Sequence, residues 1–276
     1  MTIVVFGRGY LGRRLASSLP DAVLSEASIT DASAVRAAIK EHRASAVINA
    51  AGKTGRPNVD WCETHQRETW MANVVGPLLL ADACADAGAY LLHIGSGCVF
   101  YGPSPSPGGW RETDHANPLS YYSKSKYAAD LALSSVPNVG VARIRMPLDA
   151  RPDPRNLITK LAGYRFVIDV ENSVTVVDDF LHVAKELVAR RAEGVFHVTN
   201  PGVMRHRDLL DAYRRHVDPR HAAEFIPAEE LTARGLASAA RSNCILSSER
   251  LASLGIAMRP IADVLDALVA EYARHR

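Results

Sequence analysis

The chain has 276 residues, of which 47% are hydrophobic and 22% are charged, and its formal net charge is +2. This is the composition of a globular protein, and so balanced a charge argues against a protein that binds nucleic acid or a membrane surface. No basic stretch precedes the apolar run at residues 2–6, and the run at residues 74–81 is far shorter than the ~20 residues that span a bilayer. We therefore expect a cytoplasmic protein without a signal peptide.

The four cysteines, Cys62, Cys84, Cys98 and Cys244, show no paired short spacing. Disulfide frameworks and structural zinc sites depend on such spacing. We therefore predict free thiols and no metal site.

Short apolar runs alternate with helical patterns through the first half of the chain. The predicted strands are residues 2–6, 22–24, 46–49, 90–94 and 141–144, and the predicted helices are residues 11–19, 32–41, 70–87 and 121–133. The third of these helices contains Pro77 and should end in a left-handed cap at Gly88. Because strands that alternate with helices form parallel sheets covered on both faces, we predict an α/β fold of the doubly wound Rossmann type.

A glycine-rich turn, Gly7-Arg8-Gly9-Tyr10-Leu11-Gly12, follows the first predicted strand and opens the first predicted helix. In this position the pattern lets a pyrophosphate approach the backbone and the helix N-terminus, so we predict a nicotinamide dinucleotide site. Glu26 is off the usual register for the adenine ribose, whereas Arg8 would suit a 2′-phosphate, which favours NADPH over NADH. The alternatives are a glycine turn without a ligand and a solvated Arg8.

Tyr122 and Lys126 form a Y-x-x-x-K motif at the start of a predicted helix, where a spacing of four places them on one face. The pKa of free tyrosine is about 10, and a nearby ammonium should lower it toward a range useful for acid–base catalysis. Tyr121 would instead pair with Ser125, so Tyr122 is the better candidate. Ser96 follows the fourth strand and is a candidate hydrogen-bond donor to a substrate carbonyl.

The pattern loosens after residue 146, where Pro147, Pro152 and Pro154 interrupt it. The later predicted elements are strands at 174–177 and 195–198 and helices at 178–190, 208–216 and 261–274. We predict a dinucleotide-binding domain over residues 1–146 and a smaller, mainly substrate-binding lobe over residues 147–276. Segments near 174–198 are expected to return to the first domain and its sheet.

These motifs, together with Asn49-Ala50-Ala51-Gly52, resemble the extended short-chain dehydrogenase/reductase superfamily. Within it the chain is similar to the dTDP-4-dehydrorhamnose reductase branch, and it looks most like the plant-type nucleotide-rhamnose synthases, which are 3,5-epimerase/4-reductases. The stretches that carry this resemblance are NAAGKTGRPNVDWCE (49–63), NVVG (73–76), SGC (96–98), YYSKSK (121–126), RIRMP (143–147), PRNLITK (154–160), TNPGV (199–203) and ARSN (240–243). They extend over nearly the whole chain.

The resemblance implies a nucleotide-linked 4-keto-6-deoxy sugar as substrate and NADPH as cofactor, with NADH as the alternative. Ser96, Tyr122 and Lys126 would carry out the 4-reduction, and Cys98 and Lys160 the acid–base steps of epimerisation. The cofactor-binding residues would be Gly7, Arg8, Gly9, Tyr10, Leu11, Gly12, Asn49, Ala50, Ala51, Tyr122 and Lys126. The substrate-binding residues would be Arg56, Asn58, Asn73, Asn156, Arg241 and Asn243. Asn73 would also support Lys126 through a water molecule.

Two other functions remain open from the sequence. One is a 4-ketoreductase without epimerase activity, in which Cys98 is an inert buried thiol and Lys160 a surface lysine. The other is a non-catalytic, NADP-binding regulatory subunit, against which the intact Ser96, Tyr122 and Lys126 argue. The superfamily resemblance also implies a homodimer.

Overall fold

The computed structural model describes residues 1–276 and contains two compact units. The first comprises Met1–Val99, Pro118–Arg143 and Leu181–Phe196, and the second comprises Phe100–Asn117, Ile144–Phe180 and His197–Arg276. The strands are β1 (Ile3–Phe6), β2 (Ala22–Ser25), β3 (Ala46–Asn49), β4 (Tyr90–Ser96), β5 (Val139–Ile144), β6 (Pro147–Leu148), β7 (Phe166–Ile168), β8 (Glu171–Asn172), β9 (Thr175–Val176), β10 (Gly194–His197), β11 (Met204–Arg205) and β12 (Glu224–Ile226). The α-helices are α1 (Tyr10–Ser18), α2 (Ala32–Glu41), α3 (Trp61–Thr64), α4 (Gln66–Trp70), α5 (Gly76–Ala87), α6 (Tyr121–Leu133), α7 (Leu157–Ala162), α8 (Val177–Arg190), α9 (His206–His216), α10 (Glu230–Ala233), α11 (Glu249–Ser253) and α12 (Ile261–His275).

The first unit is built on a six-stranded sheet in the order β2-β1-β3-β4-β5-β10. Strand β1 pairs in parallel with β2 and β3, and β3 pairs in parallel with β4. The predicted Rossmann-type α/β fold is therefore confirmed. The strand order reverses between β1 and β3, and in such sheets ligands bind beyond the carboxyl ends of the strands at that switch point.

The residues that end these strands lie side by side. Phe6 is in register with both Ser25 and Asn49, and Asn49 is in register with His93. All four residues of β1 are buried, as double-sided coverage of a parallel sheet requires. The core of this unit joins the sheet to α2 and α5 and includes Val4, Phe6, Val35, Ile39, Val47, Leu80, Leu91 and Val141.

The predicted single helix over residues 70–87 is divided. Helix α4 is followed by a π-helical turn at Met71–Val75 and then by α5, which ends at Gly88 in the predicted left-handed conformation, with φ of 62°. Pro77 has no N–H to donate to the carbonyl of Asn73 and its ring crowds that carbonyl, which favours a wider turn at this point. The π turn carries Asn73 into the interior.

The second unit contains short two-stranded sheets, in which β6 pairs with β9, β7 with β12 and β8 with β11. Helix α9 packs against α7 and α12, and the core includes Leu148, Ile158, Val176, Leu209, Tyr213 and Val269. The segment near Val195 joins the six-stranded sheet as β10, as expected, but the segment near Val174 does not. Because β10 occupies the edge beside β5, β9 pairs with β6 instead. No helix is long and apolar enough to cross a membrane.

Candidate active site

The glycine turn packs tightly against the loop that follows β3. Gly7 has a φ of 103°, and a Cβ atom placed on it would lie 2.4 Å from the backbone nitrogen of Ala51. A Cβ on Gly12 would lie 1.7 Å from the carbonyl oxygen of Gly7. Gly9 caps α1 and has no side chain to cover the N-terminus of that helix. This arrangement suits an anionic diphosphate at the helix N-terminus.

Gly7 and Gly9 are expected to respond differently to alanine. Gly7→Ala combines a positive φ with overlap on the Ala51 backbone, and should lower the free energy of unfolding by about 2 kcal/mol or more. Gly9 has a φ of −78° and open space around the added methyl, so Gly9→Ala should fold normally. Its methyl would instead intrude where a pyrophosphate approaches and weaken NADPH binding by about tenfold. Thermal unfolding measures the stability of Gly7→Ala, and fluorescence titration measures NADPH binding by Gly9→Ala. Unchanged stability of Gly7→Ala would contradict the close packing of Gly7 against Ala51.

Arg8 and Glu26, the two residues considered for recognition of the adenine ribose, contact each other. The Nη1 atom of Arg8 lies 3.1 Å from Oε1 of Glu26, and both side chains are largely exposed. An exposed ion pair of this kind contributes little stability, so either group can turn to a ligand at small cost. The other predicted members of the turn lie in α1, where Tyr10 is buried and Leu11 is partly buried.

The candidate catalytic groups converge at the end of β4. The hydroxyl of Ser96 lies near enough to the phenol of Tyr122 to lower its pKa, and it accepts a hydrogen bond of 3.2 Å from the backbone N–H of Cys98. Cys98 lies in the 3₁₀ turn Gly97–Val99 and acts electrostatically on the same phenol. A phenol, a hydroxyl and a thiol are therefore held together at one edge of the sheet.

The expected effect of Lys126 on Tyr122 is not found in this structure. Burial raises the pKa of Tyr122, the negative charge of a Cys98 thiolate raises it further, and the hydrogen bond from Ser96 opposes them. Lys126 is 4% exposed, and its Nζ donates to the carbonyl oxygen of Ile94 at 2.8 Å and contacts Nε2 of His93 at 2.9 Å. The ammonium is thus directed at β4, and burial lowers its own pKa to about 8.

Two contacts hold the start of α6 and so the position of Tyr122. The hydroxyl of Ser120 caps the helix by accepting a hydrogen bond from the N–H of Ser123. The carboxylate of Glu63 accepts one of 2.8 Å from the N–H of Tyr121. Because Glu63 ends the GRPNVDWCE stretch, this stretch anchors the helix that carries Tyr122 and Lys126.

The side chain of Asn73 is held inside the first unit. Its side chain is fully buried; Oδ1 accepts from the N–H of Lys53 at 2.7 Å, and Nδ2 donates to the carbonyl of Lys53 and to Oγ of Ser125. These bonds tie the side-chain amide into the fold, and a substrate role for Asn73 and its support of Lys126 through a water molecule stay predictions. Asn73 therefore braces the loop after β3 against α6. In that loop Arg56 is exposed and Asn58 accepts a hydrogen bond from the N–H of Asp60, and a substrate role for both stays a prediction.

In the second unit, the amide of Asn156 is used within the fold. It caps α7 by accepting from the N–H of Ile158, and it donates to the carbonyls of Asp149 and Arg151. Asn156 is fully buried, and a substrate role for it stays a prediction. Lys160, one turn on in α7, is partly buried, and its catalytic role stays a prediction.

A buried arginine supports the ARSN segment. Arg145 is 1% exposed and donates from Nη1 to Oγ of Ser242 at 3.1 Å, and from Nη2 to the carbonyl of Ser242 and to Oδ1 of Asn172. Arg241 and Asn243 flank Ser242, so Arg145 holds the backbone between the two predicted substrate-binding residues. Asn243 also lines a cavity of about 930 Å³ within this unit, a size suited to a small-molecule ligand.

Comparison with known proteins identifies the family. The family model described as the RmlD substrate binding domain matches residues 1–274. The chain belongs to this family. The resemblance to the dTDP-4-dehydrorhamnose reductase branch is thereby confirmed.

Relatives of this RmlD-domain chain include enzymes of deoxysugar synthesis. A bifunctional dTDP-4-dehydrorhamnose 3,5-epimerase/dTDP-4-dehydrorhamnose reductase of Arabidopsis thaliana is 40% identical over 208 residues, which are 73% of this chain and 69% of that protein. The trifunctional UDP-glucose 4,6-dehydratase/UDP-4-keto-6-deoxy-D-glucose 3,5-epimerase/UDP-4-keto-L-rhamnose-reductase RHM2 of the same plant is 37% identical over 229 residues, 81% of this chain but only 34% of that relative. The chain thus corresponds to one part of the trifunctional protein.

A solved structure resembles the whole RmlD-domain chain. The L780 UDP-rhamnose synthase from Acanthamoeba polyphaga mimivirus superposes with a TM-score of 0.92 at 29% identity, covering 98% of this chain and 99% of that one. The similarity therefore covers the residues of both compact units.

Three residues of this RmlD-domain chain matter to the site but were missed from the sequence. Glu63 and Arg145 fall inside the GRPNVDWCE and RIRMP stretches, so those stretches were the available signal. His93 gave no signal, because a lone histidine in an apolar strand has no informative spacing. Its importance follows only from the neighbours that the sheet register gives it.

Proposed function

We propose that this chain is an NAD(P)H-dependent 3,5-epimerase/4-reductase of a nucleotide-linked 4-keto-6-deoxy sugar of the rhamnose type. The observation that carries the proposal is the convergence of Ser96, Tyr122 and Cys98 at the end of β4, with Lys126 on the same helix as Tyr122. The names and activities of the RmlD-family relatives support the same substrate class. The cytoplasmic location and the homodimer stay predictions.

The residues present fit a dinucleotide. Gly7 and Gly12 leave no space for side chains, Gly9 leaves the start of α1 open, and Arg8 lies at the same edge of the sheet. NADPH, when bound there, supplies a hydride for C4 of the sugar. Gly7–Gly12 and the Asn49–Ala51 backbone would hold its diphosphate and adenine side, and Tyr122 and Lys126 its nicotinamide side.

In the 4-reduction, Ser96 and Tyr122 act on the carbonyl oxygen of the sugar. The hydroxyl of Ser96 orients that oxygen, and Tyr122 donates its phenolic proton as negative charge develops there. A raised phenol pKa keeps Tyr122 protonated before the reaction, which is the state that a proton donor needs. Lys126, one turn further along α6, would hold the nicotinamide ribose.

In the epimerisation, the protons on C3 and C5 are acidic because the carbonyl at C4 delocalises the resulting charge. We assign Cys98 to the acid–base exchange of these protons, because it lies two residues beyond the hydroxyl that orients the carbonyl. Lys160 is the residue that the family resemblance supplies as the second acid–base group. Arg56, Asn58, Arg241 and Asn243 are proposed to bind the nucleotide-linked sugar.

Replacement of Cys98 tests the epimerase half of the proposal. Cys98→Ala should slow the exchange of the C3 and C5 hydrogens with deuterated water by about 10²- to 10⁴-fold, because the proton-transfer group is lost. The variant should still reduce the already epimerised 4-keto sugar. NMR in D₂O follows the exchange, and nicotinamide absorbance follows the reduction. Lys160→Ala should likewise slow the exchange of the C3 and C5 hydrogens and retain reduction of the epimerised sugar.

Cys84→Ala is the matched control, since Cys84 is a buried thiol on α5 whose pKa burial raises to about 12. It should leave exchange at the wild-type rate. Exchange at the wild-type rate in Cys98→Ala would refute the assignment of Cys98 to proton transfer. Reduction of the sugar by the wild type with no exchange at C3 or C5 would identify a 4-ketoreductase without epimerase activity. NADPH binding without turnover of any dTDP- or UDP-linked 4-keto-6-deoxy sugar would identify a regulatory subunit and refute the enzyme.

A further inference from the structure

His93 is a fully buried histidine with a polar contact at each ring nitrogen. Its Nδ1 lies 2.9 Å from Nδ2 of Asn49, and its Nε2 lies 2.9 Å from Nζ of Lys126. The contact with Asn49 follows from the pairing of β3 with β4, in which these two residues are in register. A row of three polar side chains therefore runs from the end of β3 to the active-site lysine.

The hydrogen bonds of Asn49 determine where the protons lie along this row of three side chains. Oδ1 of Asn49 accepts a hydrogen bond of 3.0 Å from the N–H of Ala51, so its NH₂ group faces His93. Nδ1 of His93 must then accept, and a neutral imidazole that accepts at Nδ1 carries its proton on Nε2. Turning the amide around would set its NH₂ group against the N–H of Ala51, so this direction is the one that satisfies both partners.

The proton on Nε2 of His93 determines which charge state of Lys126 can accept a hydrogen bond from it. The Nε2–H of His93 points at Nζ, which can accept it only as a neutral amine with a lone pair; the amine still donates to the carbonyl of Ile94. An ammonium at this position would face a donor instead of an acceptor. The pKa of His93 is held well below its usual range by burial and by Lys126, so a second proton on the ring does not resolve the conflict.

Other ionisable groups near Lys126 do not remove this preference. Asp130, one turn further along α6, favours the ammonium, but Arg143 of β5 pairs with it through a bond of 2.8 Å. Cys62 of α3 and Cys98 of the 3₁₀ turn act on Tyr122. The π turn contributes Asn73, which does not titrate. His93 is thus the polar partner from β4 that discriminates between the two charge states.

We propose that His93, oriented by Asn49, is a positioning residue that favours the neutral amine of Lys126 and so controls how readily the active-site lysine loses its proton. The inference rests on the proposed function, because it assigns Lys126 to the nicotinamide side of the site. Burial lowers the pKa of Lys126 to about 8, so the cationic form is lost as the pH rises through that value. Cofactor affinity and reduction should both fall over the same range.

The test uses two substitutions that add no charge. Each allows the residue beside Lys126 to accept a hydrogen bond from its ammonium. His93→Gln presents an amide oxygen that can accept from an ammonium. Asn49→Ser presents a hydroxyl that can accept as well as donate, which allows His93 to carry its proton on Nδ1. Each should move the pH at which reduction declines upward by about one unit. The double variant should shift no further than His93→Gln alone, since both act through the same ring.

Asn73→Ser is the matched control, because it makes the same change at another fully buried asparagine that does not contact His93. A lower kcat in this variant is compatible with the inference, but the pH at which reduction declines should stay at the wild-type value. The pH dependence of NADPH affinity, measured by fluorescence, gives a second readout that needs no sugar. A decline that stays at the wild-type pH in both His93→Gln and Asn49→Ser overturns the inference.

The two proposals fail in different ways. If NADPH affinity shifts as expected but no 4-keto sugar is reduced, the proposed function fails and the role of His93 stands. If the sugar is reduced and neither readout moves, the proposed function stands and the role of His93 is lost. A uniform loss of kcat without a change in the pH profile would show that His93 only stabilises the fold.

Discussion

Tyr122→Phe should lower kcat for 4-keto sugar reduction by about 10²- to 10⁴-fold, because it removes the proton donor to the developing alkoxide and leaves the ring in place. The dissociation constant for NADPH should change little, since the glycine turn and the start of α1 are untouched. Stopped-flow or steady-state absorbance of the nicotinamide measures the rate, and fluorescence titration measures binding. Exchange of the C3 and C5 hydrogens should survive better than reduction, because Tyr122 is not the group assigned to those protons.

Tyr121→Phe is the matched control for this prediction. Tyr121 is the adjacent tyrosine, and its contact with Glu63 uses the backbone N–H, which the substitution retains. Its kcat should stay close to that of the wild type. Equal activity of the two variants would mean that another group donates the proton, and the assignment of Tyr122 would have to be withdrawn.

Arg143→Met should lower the free energy of unfolding by about 3–5 kcal/mol, the range found when one partner of a buried ion pair is removed. Asp130 is fully buried, its Oδ2 accepts from Nε of Arg143 at 2.8 Å, and its Oδ1 has no hydrogen-bond partner. Without the guanidinium, the buried carboxylate would lose its ion-pair partner and its hydrogen bond, and Lys126 would be its remaining cationic neighbour. Urea unfolding followed by circular dichroism measures the loss.

The loss should depend on pH with a definite sign. Burial raises the pKa of Asp130 and Arg143 lowers it, so removal of Arg143 raises this pKa further above that of the unfolded chain. A group of this kind destabilises the fold above its unfolded pKa, and protonation relieves the cost as the pH falls. Arg143→Met should therefore be closer to the wild type at pH 5 than at pH 8.

Arg36→Met provides the surface comparison. Arg36 forms ion pairs with Asp82 and Asp86, and all three side chains are exposed, so its removal should cost about 1 kcal/mol or less. The double variant Arg143→Met/Asp130→Asn should recover part of the loss, because no unpaired buried carboxylate remains at position 130. If Arg143→Met unfolds no more easily than Arg36→Met, the buried pair does not have the energetic role described.

The sequence predicted those parts of the fold that have a repeating local pattern. Helices α2 and α6 and strand β3 begin and end at the predicted residues, because caps and continuous apolar runs determine them locally. The π turn at Met71–Val75 was not predicted, since its apolar spacing differs too little from that of an α-helix. The two-residue strands β6, β8, β9 and β11 are too short to show any period.

The candidate site was predicted where residues lie next to the ends of predicted elements. Ser96 and Tyr122 are such residues, and Ser96 lies near enough to lower the pKa of the Tyr122 phenol, while their catalytic roles stay predictions. The partners of Lys126 and Asn73 could not be predicted, because they depend on side chains that meet across the sheet or through a loop. Asn156 lies inside a family stretch, and its role as the cap of α7 could not be predicted from that stretch.

The bond from the N–H of Tyr121 to Glu63 bears on how chimaeras of such enzymes should be designed. Exchanging residues 53–63 for the corresponding loop of another reductase would also detach the carboxylate that secures the first turn of α6. Lost turnover in such a hybrid would then report a displaced phenol rather than a changed sugar preference. Retaining the acidic side chain at position 63 would separate the two effects.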